Sequence, residues 1–376
     1  MKLKSVDRSH PTLSHFSEKK KLLNPKKLEF KLLEFQKLKL HDYENLHQCF
    51  QFALYRSNHV IFLPTGRGTS AGCSSAEAKM TRAFGDKTPI VNIYVETNDV
   101  NPLNAGDYKL PNGKPYADIV EFFASNIHKE TVNGVVRPTL YLNDKMTNLL
   151  ENGGNLTYVK PLQDMGIKVL LTVLGDWQNI GVTSMNDTQA DQFATILAYA
   201  VQKYGLDGIG FDNEYDGSPT TVSGSWGNII TKLRAKMPAD KLITVFQWGN
   251  YGSSQINATA GAKIDYVYAN FGYSTYIGVA GVTKDRFAPL SLNLGSYNSP
   301  TAAGDHAYDA AEGGYGAIMH FNLRTRSQND PTALFTAIAD GAWAEGAVTC
   351  TNGNRPQDWT FVPSGYTITY AEATAQ

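Results

Sequence analysis

The 376 residues carry 34 Lys/Arg against 35 Asp/Glu, with 42% hydrophobic residues, 33 glycines and 20 tyrosines. That composition excludes a disordered chain, a collagen and a disulfide scaffold, because three cysteines cannot staple a chain this long. A net charge of −1 argues against a nucleic-acid binder, and no apolar run reaches the roughly 20 residues of a membrane span.

The charge is unevenly placed. Residues 1–45 hold 11 Lys/Arg against 6 Asp/Glu, a balance of +5 that leaves −6 for the remainder. Lys19, Lys20, Lys21, Lys26 and Lys27 crowd this head, which reads as a poorly structured extension, although basic heads also serve as nucleic-acid or membrane arms. No uninterrupted apolar core follows the lysines, so no export signal is expected. Residues 65–88 are rich in small residues and read as a linker, giving an N-terminal extension over 1–88.

From Pro89 the texture changes. Short β-branched runs predict strands at Ile90–Glu96, Ile119–Ala124, Lys168–Leu174, Gly208–Asp212, Leu242–Gln247, Ile264–Asn270, Leu290–Leu294 and Ala317–Asn322. Helical periodicity follows most of them. It is clearest at Thr188–Tyr204, where Phe193, Ile196, Leu197, Ala200 and Val201 share one face. Eight strands over about 260 residues predict a single (β/α)8 TIM barrel spanning 89–345. A doubly wound sheet fits less well, as no GxGxxG or GxxxxGK(S/T) string is present. A short C-terminal tail, 346–376, contains a possible strand at Gly365–Tyr370 and no evident chemistry.

Barrel chemistry sits at the C-terminal strand ends. Five of the eight histidines (His10, His15, His41, His47, His59) fall in the head; His128, His306 and His320 are scattered without HExxH spacing, and Cys49, Cys73 and Cys350 form no CxxC pair. Neither a metal nor a cofactor is expected, and no GxSxG elbow announces a serine nucleophile. The fourth strand is different. In Asp207-Gly208-Ile209-Gly210-Phe211-Asp212-Asn213-Glu214, Asp212 and Glu214 are alternate residues about 6.6 Å apart on one face, where the strand leaves the sheet. Close carboxylates raise each other's proton affinity, and a protonated acid beside an ionised carboxylate is the minimum kit for glycosidic cleavage. The pair fits an N-cap or a salt bridge at a βα loop equally well, and the residues alone leave both readings open.

That octapeptide resembles the DGxDxDxE signature of glycoside hydrolase family 18. The surrounding text is similar to its endo-β-N-acetylglucosaminidases of the endoglycosidase H and endoglycosidase F1 type. The likeness recurs in order at Tyr94–Asn104, Phe122–Ile127, Pro161–Gln178, Lys203–Gly208 and Gly313–Phe321. It implies substrate-assisted retaining hydrolysis between the two GlcNAc residues of the N-glycan chitobiose core. Glu214 would be the general acid and base, Asp212 would orient the 2-acetamido group, and Asp207 would support them. Glu96, Phe123, Asn126, Trp177, Gln247, Asn270, Tyr273 and Asn322 are the expected substrate-binding residues. A chitinase and a non-catalytic glycan-binding relative are the alternatives. The resemblance further implies N-linked glycans, of high-mannose or hybrid type, as partners, a monomer, and an extracellular or periplasmic location. Two positions depart from the family: its middle signature Asp is Gly210 here, and its sixth-strand tyrosine aligns with Gly272, leaving Asn270 or Tyr273 to supply that contact.

Overall fold

The computed structural model describes residues 84–218, 220–248, 252–323, 330–357 and 364–375. The expected basic head, and the linker up to residue 83, lie outside the described residues.

Fourteen strands are present among the described residues: β1 (Ile90–Glu96), β2 (Tyr108–Lys109), β3 (Ile119–Val132), β4 (Val135–Leu142), β5 (Lys168–Leu174), β6 (Gly208–Phe211), β7 (Leu242–Phe246), β8 (Tyr266–Tyr268), β9 (Gly272–Tyr273), β10 (Phe287–Ala288), β11 (Leu290–Asn293), β12 (Ala317–Leu323), β13 (Thr349–Cys350) and β14 (Tyr366–Ile368). Parallel pairing runs β12–β1–β3–β5–β6–β7–β8 and on to β10, while β11 pairs in parallel with β12. Only Pro289 separates β10 from β11, so this one segment joins β8 to β12 and closes an eight-stranded ring. The expected barrel is what forms.

Strands buried on both faces read as continuous apolar runs, and β1 (IVNIYVE) shows why. Val91, Ile93 and Val95 point outward into the layer shared with the helices. Ile90 and Tyr94 point inward, joining Ile119, Leu170, Leu242, Phe246, Tyr268, Ala288, Ala317 and Met319 in the barrel's own core. The period-2 alternation therefore sorts two cores from one string.

The helix Asp187–Tyr204 begins one residue earlier than its periodicity suggests, because Asn186 caps it. The Asn186 side chain accepts from Gln189 N (2.9 Å), Gln189 Oε1 accepts from Asn186 N (3.0 Å), and Gly205 ends the helix at φ 66°. Not every crossover carries a long helix. A 3-10 turn (Pro102–Asp107) serves between β1 and β3, and a helix just before β8 spans four residues, Ala258–Gly261.

The second strand differs most from expectation. It runs eight residues past Ala124, and residues 126–132 pair antiparallel with β4 through Asn133-Gly134, at φ 51° and 77°. An Asn-Gly pair between β-branched residues is a hairpin signal that length-based strand reading passed over. The C-terminal segment packs onto this hairpin through β14, which pairs with β4; elsewhere β13 pairs with β2, and Glu372 meets Lys203 (3.1 Å) on the helix Asp187–Tyr204. At the other end of the unit Lys87 pairs with the buried Asp118, its ammonium 4.4 Å from the Trp343 ring. No described helix is long and apolar enough to cross a membrane.

Candidate active site

A cleft of about 360 Å³ opens among the C-terminal strand ends, lined by Tyr94, Glu96, Phe123, Asp212, Glu214, Tyr215, Phe246, Phe271, Asn293, Met319, Phe321 and Asn322. Of the residues expected at the site, Glu96, Phe123, Asp212, Glu214 and Asn322 meet in this lining.

Asp212 follows the last residue of β6 and is held by its backbone, whose N–H donates to Val173 O (3.1 Å). Its carboxyl is buried, and Oδ1 accepts from the Glu214 N–H (3.2 Å). Burial first, then the neighbouring Glu214 charge, pushes the Asp212 carboxyl well above the usual carboxylate range. Glu214 is half-buried and also raised by burial, while a hydrogen bond from the Tyr215 hydroxyl pulls it back. The more enclosed carboxyl is thus Asp212, and Glu214 is the more accessible.

The cleft wall is aromatic. Phe271 packs on Phe246 (6.0 Å between ring centres) and Phe321 (5.3 Å), presenting apolar faces beside the carboxylates. Asn322 donates to Asn293 Oδ1 (2.9 Å), which fixes both amides at the rim. Trp177, Tyr215 and Asn322 have φ of 54°, 59° and 60°. Left-handed backbone in non-glycine residues costs of order 1 kcal/mol or more each and gathers at functional sites.

The remaining expected residues lie elsewhere. Trp177 is 68% exposed above the lining, its ring 5.8 Å from Tyr215. Asn126 reaches Gly175 O (3.4 Å) and buried Gln247 accepts from Gly278 N (2.8 Å), so both brace loops beside the cleft. Asn270 keeps a buried Oδ1 with no partner among the described residues. Tyr273 lies on β9 with its ring stacked on His306 (4.3 Å), outside the lining. Asp207 sits at the opposite end of β6, binding Lys168 (3.0 Å), Gln163 (2.8 Å) and Val169 N (3.0 Å).

Sequence reasoning passed over Tyr94, Tyr215, Phe246, Phe271, Asn293, Met319 and Phe321. Tyr94, Phe246, Met319 and Phe321 stand at inward positions of strands that were themselves legible, so alternation could have found them. It also passed over Glu121, a lone carboxylate in the inner face of β3. Glu121 is wholly buried, and burial raises its carboxyl from 4.5 to about 7 against the opposing pull of its hydrogen bonds. Among the described residues no group of three or more His, Cys, Asp or Glu is arranged to hold a metal ion.

No family model matches the chain. It is 34% identical over 269 residues, 69% of its length, to an endo-β-N-acetylglucosaminidase of Flavobacterium sp. (strain SK1022), of which it covers 82%. It is 30% identical over 261 residues, 65% of its length, to endo-β-N-acetylglucosaminidase F1 of Elizabethkingia meningoseptica, covering 74% of that protein. Among solved structures, EndoBT-3987 of Bacteroides thetaiotaomicron in complex with Man9GlcNAc2Asn substrate is similar at a TM-score of 0.59 and 26% identity, over 76% of this chain and 72% of that one.

Proposed function

The chain belongs to the endo-β-N-acetylglucosaminidases, a family of glycoside hydrolases, and on that premise we propose that it cleaves N-linked glycans between the two GlcNAc residues of the chitobiose core. One observation carries the mechanism: Asp212 and Glu214 are joined side by side at one strand end, the Glu214 N–H donating to the Asp212 carboxyl. Two carboxylates at one strand end suit a division of labour in which one is acid and base and the other orients the substrate's 2-acetamido group, the substrate-assisted exception to the two-carboxylate scheme. The substrate's own 2-acetamido oxygen then serves as nucleophile.

In this mechanism Glu214 protonates the leaving sugar oxygen as the acetamide oxygen attacks the anomeric carbon, and the C–O bond breaks to leave an oxazolinium ion. Asp212, ionised at that stage, orients the acetamide N–H and stabilises the positive charge from a water-poor position. Glu214 then takes a proton from water, which opens the oxazolinium ring with retention. Glu96, Phe123 and Asn322 contact the sugars, and the Trp177 and Tyr215 rings offer faces at the rim. Asn126, Gln247, Asn270 and Tyr273 shape the surrounding loops, and Asp207 supports β6 from below. The enzyme works as a monomer, outside the cytoplasm, where glycoproteins are met.

Incubation with a high-mannose glycoprotein and, separately, with chitin oligomers, followed by mass spectrometry, tests this. A protein product keeping one GlcNAc per site is expected, together with no cleavage of substrates lacking the N-acetyl group. Cleavage of chitin alone would overturn the glycan assignment. A covalent glycosyl adduct on Glu96, the other carboxylate of the lining, would overturn the substrate-assisted one.

A further inference from the structure

Glu121 and Gly210 occupy one space inside the barrel. A Cβ on Gly210 would overlap Glu121 Oε2 and approach Thr244 Oγ1 to 2.9 Å, so nothing larger than glycine fits while Glu121 keeps its place. The carboxyl is held from four strands. Oε2 accepts from Thr172 Oγ1 on β5 (2.8 Å); Oε1 accepts from Thr244 Oγ1 on β7 (2.7 Å), Tyr268 OH on β8 (3.3 Å) and Asn92 Nδ2 on β1 (3.3 Å). A carboxyl with four donors and complete burial is placed, not tolerated, since an uncompensated one would cost several kcal/mol. The titratable groups that face it are Tyr94 from β1, Tyr268 from β8 and Asp212 from the end of β6, with Glu214 beyond Asp212.

We propose that Glu121 is a positioning residue for Asp212: from β3 it supplies the buried carboxyl that the β6 signature lacks at Gly210, and Gly210 is the vacancy that admits it. This rests on the reading of Asp212 given above. Two neighbouring carboxyls in a dry interior resist ionising together, so the charge on one governs the proton on the other. The Glu121 charge does raise the Asp212 carboxyl, after the larger effects of burial and Glu214. The four donors fix Glu121 in place and favour its ionised form, and since Glu121 lies outside the cleft lining it acts on Asp212 through its charge without touching substrate.

The test compares wild type, Glu121→Gln, Glu121→Ala and the double variant Glu121→Ala/Gly210→Asp for glycan release from a high-mannose glycoprotein across pH. Glu121→Gln keeps the shape and removes the charge, so Asp212 should ionise more readily and the acidic limb of kcat/KM should move to lower pH. The alkaline limb, set by Glu214, should stay. Glu121→Ala should lower kcat about 10²-fold with KM little changed, the effect of a misplaced reacting partner. The double variant, which returns a carboxyl to β6, should recover most of that loss. An acidic limb unmoved in folded Glu121→Gln overturns the proposal, as does a folded double variant no better than Glu121→Ala. These results are read only against a wild type that cleaves; a wild type that releases no glycan refutes the proposed function instead.

Discussion

The backbone N–H of Glu214 donates to Oδ1 of Asp212 across 3.2 Å, so the enclosed carboxyl is tied to the stretch of backbone that carries the accessible one. Replacing the Glu214 side chain leaves this link in place, because its donor is the Glu214 backbone; its acceptor is the Asp212 side chain itself. Glu214→Gln is expected to lower kcat by about 10³-fold or more while glycan binding persists, the usual cost of losing a general acid. Asp212→Asn should also cripple turnover, with KM changed less. Single-turnover assays paired with calorimetric titration of the glycan separate the two effects.

Tyr215 governs the upper pH limit. Its hydroxyl hydrogen-bonds the Glu214 carboxylate and favours the ionised form, opposing the rise that burial imposes. Without that bond Glu214 holds its proton to higher pH. Tyr215→Phe should therefore shift the alkaline limb of kcat/KM upward, because the acid is lost later. A downward shift would contradict the contact.

Glu121 should leave a mark on stability as well as on rate. Its carboxyl is raised in the folded protein from 4.5 to about 7, so the folded state binds this proton more tightly than the unfolded chain. The associated stability is fully present below pH 4.5 and is lost as pH climbs through about 7, a change of order 3 kcal/mol. His320, buried and lowered by desolvation to about 3, contributes the opposite slope, losing stability as pH falls below 6.5. Glu121→Gln retains His320 and removes only the first effect. Denaturant titrations of both proteins at several pH values should show wild type losing stability relative to Glu121→Gln between these limits.

The C-terminal segment is a structural part of the unit it packs on. Arg355 grips buried Asp107 through Nη2 (2.8 Å) and Nε (3.0 Å), while β14 covers the edge of β4. A chain ending at residue 345 leaves the Asp107 carboxylate without its Arg355 cation and the outer edge of β4 uncovered, with only β3 still paired to it. Leaving the buried Asp107 carboxylate without its partner and β4 without its covering strand is destabilising, so the shortened chain should melt below the full one. Arg355→Ala should show a smaller drop in the same direction.

The strands β1 and β5 were legible residue for residue, and the Asp187–Tyr204 helix to within one position, because burial on both faces and a 3.6-residue repeat write themselves into local sequence. The acidic pair at Asp212 and Glu214 was legible as residues, but alternation left an N-cap or salt bridge equally open and only the family resemblance chose between them; β6 ends at Phe211, one residue before the pair. The hairpin of β3 and β4 was signalled by Asn133-Gly134, but its covering strand β14 comes from a distant segment whose pairing no local pattern announces.

Sequence by itself thus determined the barrel's strands, the family and the acidic pair that lines the cleft, all of which rest on neighbours in the chain. Only the tertiary structure decided that Glu121 and Gly210 share one volume, that Tyr273 turns to His306 rather than the cleft, and that Asp207 lies at the far end of β6. Closing eight strands into a ring brings inward side chains together across the interior, and a glycine's missing Cβ acquires meaning only when the group that fills its place is known.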